Sequence, residues 1–160
     1  MKITYRKAEK KDISVIHMFI RELARYEKLE NEVVASEESL VRTLFGDHPY
    51  AEVILAEADG REAGFVLFFH NYSTFLAKPG IYIEDLYVKP GFRGQGLGKG
   101  LLKYIASLAI ERGCGRVEWW VLNWNPARKF YESIGARAMN EWVVYRLTGQ
   151  KLDELAGQTD

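Results

Sequence analysis

The chain has 160 residues, of which 48% are hydrophobic and 28% charged, a composition typical of one folded globular domain and unlike that of a disordered chain. Its 22 Lys and Arg balance 22 Asp and Glu, so no overall charge favours nucleic acid or a membrane surface as a partner. The single cysteine, Cys114, excludes an internal disulfide and a CxxC zinc site. Charged residues at the N-terminus and the lack of a long apolar run predict a cytoplasmic location.

Hydrophobic periodicity predicts strands and helices in alternation along almost the whole chain. Strands are expected over about 1–6, 52–57, 62–70, 80–88, 116–122 and 142–147, and helices over about 13–24, 36–46, 96–112 and 125–134. Asp12 and Ser36 are suitable N-caps, and the Asp59-Gly60 pair accepts the positive φ of a tight hairpin turn. The sequence therefore predicts one mixed α+β domain over residues 1–160, ending in a polar tail.

The densest signal is the turn after the fourth predicted strand, which reads Lys89-Pro90-Gly91-Phe92-Arg93-Gly94-Gln95-Gly96-Leu97-Gly98-Lys99-Gly100. Glycine costs about 1 kcal/mol relative to alanine inside a helix, so several glycines at a helix start need a reason. Without Cβ atoms, the free N–H groups of a helix N-terminus can surround phosphate oxygens. The spacing fits neither GxxxxGK[ST] nor GxGxxG, and what remains is Arg93-x-x-Gly96-x-Gly98.

Preceded by Glu84-Asp85-Leu86-Tyr87-Val88, this turn resembles the acyl-CoA signature R/Q-x-x-G-x-G/A of the GNAT N-acetyltransferase superfamily. The later segment 124–136 resembles its second motif, N-x-x-A-x-x-F-Y-x-x-x-G. Within the superfamily, Arg25-Tyr26-Glu27, Tyr72-Ser73-Thr74 and residues 83–88 are similar to the diamine (spermidine/spermine and thialysine) acetyltransferases. The resemblance implies the GNAT fold, an α+β arrangement with a mixed, mostly antiparallel twisted sheet, helices on both faces, and a splay between the two central strands.

The resemblance also implies a function and a binding site for the acetyl donor. Acetyl would move from acetyl-CoA, without a metal, to a primary amine of a small polyamine, diamine or thialysine-like amino acid, by direct attack in a ternary complex. The residues implied to bind the coenzyme are Leu86, Tyr87 and Val88 for the pantetheine arm, Arg93, Gly94, Gln95, Gly96, Leu97, Gly98 and Lys99 for the diphosphate, and Asn125, Arg128 and Tyr131 for further contacts.

Transfer to an amine requires a neutral nucleophile, and at a pKa of about 10.4 only roughly one amine in a few thousand is neutral at pH 7. Glu84 is the candidate base or the electrostatic anchor of the cationic substrate, and a sheet carboxylate paired with arginine is the non-catalytic alternative. Tyr131 is the candidate acid for the leaving thiolate. Tyr26, Glu27, Glu84 and Asp85 are expected to bind substrate, although strand neighbours point to opposite faces unless a bulge intervenes.

The sequence constrains the acceptor amine and the functional class of the protein less than it constrains the fold. The segment 70–80 contains no acid, where spermidine enzymes carry an aspartate, which favours a smaller amine or an amino acid. Residues 118–120 could line the same pocket, but core and interface aromatics are the favoured interpretation. A non-catalytic acyl-CoA-binding or sensing domain and an acetyltransferase of protein amines are the alternatives. The resemblance further implies a homodimer, with the later strands and the C-terminal tail as candidate contacts.

Overall fold

The computed structural model describes residues 1–158, so Thr159 and Asp160 of the predicted domain lie outside it. The described residues form two compact units, one over Met1–Leu122 and one from Asn123 onward. The first contains β1 (Ile3–Lys7), α1 (Ile13–Tyr26), α2 (Glu37–Phe45), β2 (Glu52–Ala58), β3 (Arg61–Ser73), β4 (Lys78–Val88), α3 (Leu97–Glu111) and β5 (Val117–Trp119). The second contains α4 (Ala127–Ser133) and α5 (Gln150–Leu155). Short 3₁₀ turns cover Lys10–Asp12, Glu30–Glu32 and Pro90–Phe92.

The five strands form one sheet in the order β1-β2-β3-β4-β5. Its first three pairings are antiparallel and the pairing of β4 with β5 is parallel, so the predicted mixed, mostly antiparallel sheet is confirmed. Asp59 and Gly60 connect β2 to β3 with φ values of 50° and 74°, as the hairpin prediction requires. β5 pairs only with Ile81–Ile83, so β4 continues beyond its last contact with β5, which is the edge strand of this sheet.

Helices cover both faces of the sheet. The core under α1 and α2 is formed by Ile16, Phe19, Leu23, Leu40 and Leu44 together with Val53, Leu55, Phe65, Leu67 and Tyr87 of the strands. Within it, the rings of Phe19 and Phe65 stack with centroids 5.3 Å apart. On the opposite face, α3 approaches β1 so closely that a methyl group on Gly100 would overlap the ring of Tyr5. The predicted α+β layering is confirmed.

Asp12, the predicted N-cap of α1, lies at the predicted position but bonds to other groups than the helix backbone. Asp12 occupies the N-cap position, but its side chain does not cap α1. Its carboxylate accepts from the Arg6 guanidinium at 2.8 and 2.9 Å and from the Glu9 backbone N–H at 2.8 Å, which ties β1 to the helix start. Ser36 caps α2 as predicted, accepting from the Ser39 N–H at 3.1 Å.

Two predictions for the last third of the chain differ from the structure. Residues 142–147 form no strand, although their apolar and aromatic residues fit one, and Trp142 and Tyr145 are 73% and 93% exposed. A strand requires a hydrogen-bonding neighbour, and no segment within residues 1–158 supplies one here. The strand predicted over 116–122 is shorter, covering Val117–Trp119, and the polar tail contains α5. Among the described helices, none is long and apolar enough to cross a bilayer.

Candidate active site

A β-bulge lies at the centre of β4. Leu67 of β3 pairs with Asp85, whereas the next residue, Phe68, pairs with Ile83, so Glu84 is the extra residue between two ladder pairs. Because Leu67 belongs to the core under α1 and α2, its partner Asp85 lies on that same face of the sheet. The sequence left open whether a bulge intervenes at these two acids, and the structure shows that it does.

Several ionisable groups around the bulge influence one another. Burial, reinforced by the charges of Glu84 and Glu27, raises the pKa of Asp85 to about 7. Burial also raises the pKa of Glu27. The pKa of the Tyr82 phenol rises because the group is buried and because Glu84 and Glu118 lie near it. The region therefore concentrates negative charge. A cationic ligand would reduce the repulsion between the carboxylates and offset the cost of burying them.

Arg93 connects the glycine-rich turn to the end of α1. Its guanidinium lies 4.8 Å from the ring centre of Tyr26 and 5.6 Å from that of Tyr87, and its Nε donates to the Val88 carbonyl at 2.9 Å. A cleft of about 640 Å³ opens between the C-terminal half of α1 and residues 87–93. Tyr26 and Arg93, two predicted site residues, thus share one wall of this cleft.

The first turn of α3 exposes its backbone. Gly94 and Gly96 have φ values of 73° and 87°, and Gly96 is the N-cap of α3. A Cβ atom on either would meet no atom within 4 Å, and one on Gly98 would meet only the Val88 side chain, at 3.9 Å. Bare N–H groups at a helix start, facing open space, fit a diphosphate. The residues present therefore suit the charged end of an acyl-CoA.

The remaining residues of this turn have different positions. Leu97 is buried in the core under α3, so only its backbone can reach a ligand. Gln95 donates its side-chain amide to the Gly91 carbonyl at 3.2 Å and holds the turn together. Lys99 is exposed. Gly100, which the sequence grouped with the anion-binding glycines, is explained instead by its contact with Tyr5.

The predicted pantetheine-binding residues lie on β4 beyond its pairing with β5. Leu86, Tyr87 and Val88 pair with β3 on one side. On the other side, the ladder with β5 ends at Ile83, so the strand edge is unpaired within the described sheet. A chain of amides can hydrogen-bond to such an edge as an added strand does. The Tyr87 side chain is buried against Phe19, with ring centres 5.9 Å apart.

The second unit carries the later motif on α4. Asn125 directly precedes the N-cap residue Pro126, and its side-chain oxygen accepts from the Ala127 N–H at 2.9 Å, which stabilises the helix start. Arg128 donates to the Asn123 carbonyl at 3.0 Å, and the ring of Tyr131 lies 5.6 Å from that of Phe130. The helix is confirmed, while the coenzyme and acid roles of these residues stay predictions.

One polar cluster was not predicted from the sequence. The Asn71 amide donates to Oε1 of Glu118 at 3.2 Å, and Arg116 Nε forms an ion pair with the same oxygen at 2.9 Å. The ring of Trp120 stands edge-on to Tyr82, with centres 6.0 Å apart. A charged residue in the middle of a predicted strand was the signal available, but strand register decides what it faces.

Comparison with known proteins agrees with this geometry. The family model described as the acetyltransferase (GNAT) family matches residues 16–136. The chain belongs to the GNAT family. It is an acetyltransferase, and acetyl-CoA is the co-substrate that this family uses. The predicted superfamily and fold are confirmed.

Relatives of this GNAT acetyltransferase cover nearly its whole length. It is 38% identical to the thialysine N-epsilon-acetyltransferase of Bos taurus over 98% of both chains. It is 35% identical to the L-ornithine N5-acetyltransferase of Arabidopsis thaliana over 90% of this chain and 83% of the plant protein. A solved structure, an integron cassette protein from the mobile metagenome of V. cholerae, aligns over 98% of both chains with a TM-score of 0.81 and 31% identity. The resemblance to the diamine acetyltransferase group is confirmed.

Proposed function

We propose that this GNAT acetyltransferase moves acetyl from acetyl-CoA to a primary amine of a small polyamine, diamine or thialysine-like amino acid, by direct attack in a ternary complex. The observation that carries the proposal is the acidic region at the β4 bulge, where Glu27, Glu84 and Asp85 lie near one another. Such a region attracts a cationic amine. The bovine relative named for thialysine and the plant relative named for L-ornithine support the same substrate class.

The donor site that we propose uses backbone more than side chains. Acetyl-CoA supplies an activated thioester. Its diphosphate would be held by the N–H groups of residues 94–99, where the glycines leave open space and the α3 dipole favours negative charge. The Arg93 N–H, which was predicted to join them, already donates to the Pro90 carbonyl at 3.2 Å. The unpaired edge of β4 at residues 86–88 would bind the pantetheine amides. Asn125, Arg128 and Tyr131 complete the proposed set.

Two side-chain roles complete the proposed chemistry. Glu84 accepts a proton from the ammonium group of the acceptor, directly or through water, or holds the cation until that proton leaves. The neutral amine then attacks the thioester carbonyl carbon, and the C–S bond breaks. Asp85, whose pKa lies near 7, is the neighbouring carboxyl that can exchange a proton at physiological pH. Tyr131 donates its phenol proton to the departing thiolate sulfur. Tyr26 and Glu27, at the end of α1, line the amine site.

We further propose that residues 1–160 act as one GNAT domain, in the cytoplasm and as a homodimer, without nucleic acid, membrane or metal. A reducing compartment suits a chain with a single cysteine. The exposed apolar residues Trp142, Val143 and Tyr145 form a surface that a second copy would cover. Size measurement at low protein concentration tests the dimer, and a monomer there contradicts it.

The deciding experiment is a panel of amines with acetyl-CoA, in which release of the free CoA thiol is measured. The panel contains putrescine, spermidine, thialysine, lysine, butylamine and a lysine-containing peptide. We expect thiol release with at least one small diamine or basic amino acid. Binding of CoA without turnover on any amine would indicate an acyl-CoA sensor. Turnover on the peptide alone would indicate a protein acetyltransferase.

A further inference from the structure

A hydrogen bond joins β3 to β5 across the strand that separates them. Asn71 of β3 pairs with Gly80 of β4, and its amide reaches over that glycine to Oε1 of Glu118 on β5. A methyl group at Gly80 would overlap the Asn71 side-chain oxygen. The absence of a side chain at this position therefore provides the space through which the amide reaches Glu118.

Glu118 is held in one orientation while it stays accessible. The Asn71 amide donates to its Oε1 at 3.2 Å, and Arg116 Nε forms an ion pair with the same oxygen at 2.9 Å. Its side chain is 37% exposed, so a solute can still reach the carboxylate. A carboxylate already held by one hydrogen bond and one ion pair loses little side-chain entropy when it binds a ligand, which suits a recognition residue.

This carboxylate lies on the same face of the sheet as the bulge. Glu118 pairs with Tyr82 of β4, and the Tyr82 ring stacks on the ring of Phe69 with centres 5.2 Å apart. Phe69 lies two residues along β3 from Leu67, so the two side chains share a face, and Leu67 is the partner of Asp85. The buried Tyr82 hydroxyl has no hydrogen-bond partner among the described residues. Strand rise and spacing place the Cα atoms of Asp85 and Glu118 on the order of 10 Å apart. An extended diamine or basic amino acid can span that separation.

We propose that Glu118, positioned by Asn71 and Arg116, binds the second ammonium group of the acceptor while the first amine is acetylated near Glu84. This inference rests on the proposed function and specifies how that site selects acceptors with two cationic ends. Segment 70–80 contains no acid of its own. The neighbouring strand supplies the charge at that end of the site, and Asn71 directs it.

The test compares acceptors that differ by one ammonium group. Steady-state kcat and KM are measured for putrescine, thialysine and the monoamine butylamine, with the wild-type enzyme, Glu118→Gln and the control Glu111→Gln, which removes an equal charge from the exposed end of α3. We expect Glu118→Gln to raise KM for the two-ended acceptors at least about fivefold, with kcat and the butylamine kcat/KM changed less than about twofold. Glu111→Gln should change none of these values.

Each other outcome has a defined meaning. An unchanged KM for putrescine and thialysine in Glu118→Gln overturns the proposal, and so does an equal loss on butylamine, which indicates a structural ion pair. A wild-type enzyme that prefers butylamine overturns it as well. Wild-type inactivity on every small amine defeats the proposed function itself, and this is visible before any variant is measured.

Asn71→Ala tests the positioning role separately. Because Arg116 still holds Glu118 in this variant, we expect the same selective rise in KM for the two-ended acceptors, about twofold, with unchanged kcat. A thermal midpoint equal to that of the wild type shows that the fold is intact. An unchanged KM in Asn71→Ala, together with a raised KM in Glu118→Gln, removes Asn71 from the proposal and leaves the Glu118 contact in place.

Discussion

Asp85 lies opposite Leu67 in the β3–β4 ladder, and this pairing places a carboxyl group beside the apolar core under α1 and α2. The bulge at Glu84 creates the pairing by inserting one residue into β4. Without the bulge, alternation would turn Asp85 to the other face. The burial that follows, with two acidic neighbours, brings the pKa of Asp85 to about 7.

This pKa predicts a pH profile. With a substrate amine held by carboxylates, kcat/KM should rise as Asp85 ionises through about pH 7. Asp85→Asn should remove that rise. Glu84→Gln should move it to lower pH, because one of the charges that raise the pKa is lost. Initial rates between pH 5.5 and 8.5 at subsaturating amine test this, and a wild-type profile that is flat in this range contradicts it.

The same group predicts a stability effect of defined sign. Asp85 ionises near 3.8 in the unfolded chain and near 7 in the folded one, so the folded state binds the extra proton between these values. The free energy of unfolding should therefore fall as pH rises from about 4 to 7, with the full cost present above 7. Asp85→Asn should be more stable than the wild type at pH 8, by on the order of 4 kcal/mol, and should lose this advantage near pH 4. Urea denaturation at both pH values measures the difference, and an advantage that does not depend on pH contradicts the assignment.

Gly98 and Gly100 should respond differently to the same substitution. Gly98→Ala places a methyl group in open space and improves helix propensity, so the free energy of unfolding should rise by up to about 1 kcal/mol. The same methyl group faces the proposed diphosphate site, and the Kd for acetyl-CoA should rise about tenfold. Gly100→Ala should instead destabilise the fold by about 1–3 kcal/mol, because it overlaps Tyr5. Calorimetric binding and denaturation separate the two effects, and normal acetyl-CoA affinity in a folded Gly98→Ala contradicts the binding-site assignment.

Tyr131→Phe removes the proposed acid and keeps the ring. We expect kcat to fall about 10²-fold, with a much smaller change in the Kd for acetyl-CoA. Tyr50→Phe, which removes a hydroxyl from an exposed tyrosine, is the matched control and should have wild-type kinetics. If turnover survives in Tyr131→Phe, another group or solvent protonates the thiolate.

Asp12→Asn should weaken the junction between β1 and α1. The Arg6 guanidinium and the Glu9 N–H lower the pKa of Asp12, so its stabilisation is present above about pH 4 and is lost as pH falls through that lowered value. At pH 7 the free energy of unfolding should fall by about 2 kcal/mol. Glu154→Gln, at an exposed ion pair with Lys151, should cost less than about 0.5 kcal/mol. Equal losses of unfolding free energy in Asp12→Asn and Glu154→Gln would show that burial does not make the Arg6–Asp12 pair stronger than the exposed Lys151–Glu154 pair.

Local chemistry was enough to predict much of this molecule. The apolar periods predicted α1 and α3, Ser36 predicted the start of α2, and Asp59-Gly60 predicted the β2–β3 hairpin. Each depends on residues close in sequence, whose conformational preferences act before any distant contact forms. The glycine-rich turn and the α4 motif identified the family from the sequence, because each motif lies within one short segment.

Contacts between distant segments were decided only by the tertiary structure. Register determined that Glu84 is a bulge residue and that Asp85 faces the core, and a shift of one residue would have reversed both. The bond from Asn71 to Glu118 depends on three strands meeting at Gly80. Residues 142–147 have the composition of a strand, yet no described segment pairs with them. A sequence states what each residue can do, whereas its neighbours in space determine which of those possibilities is used.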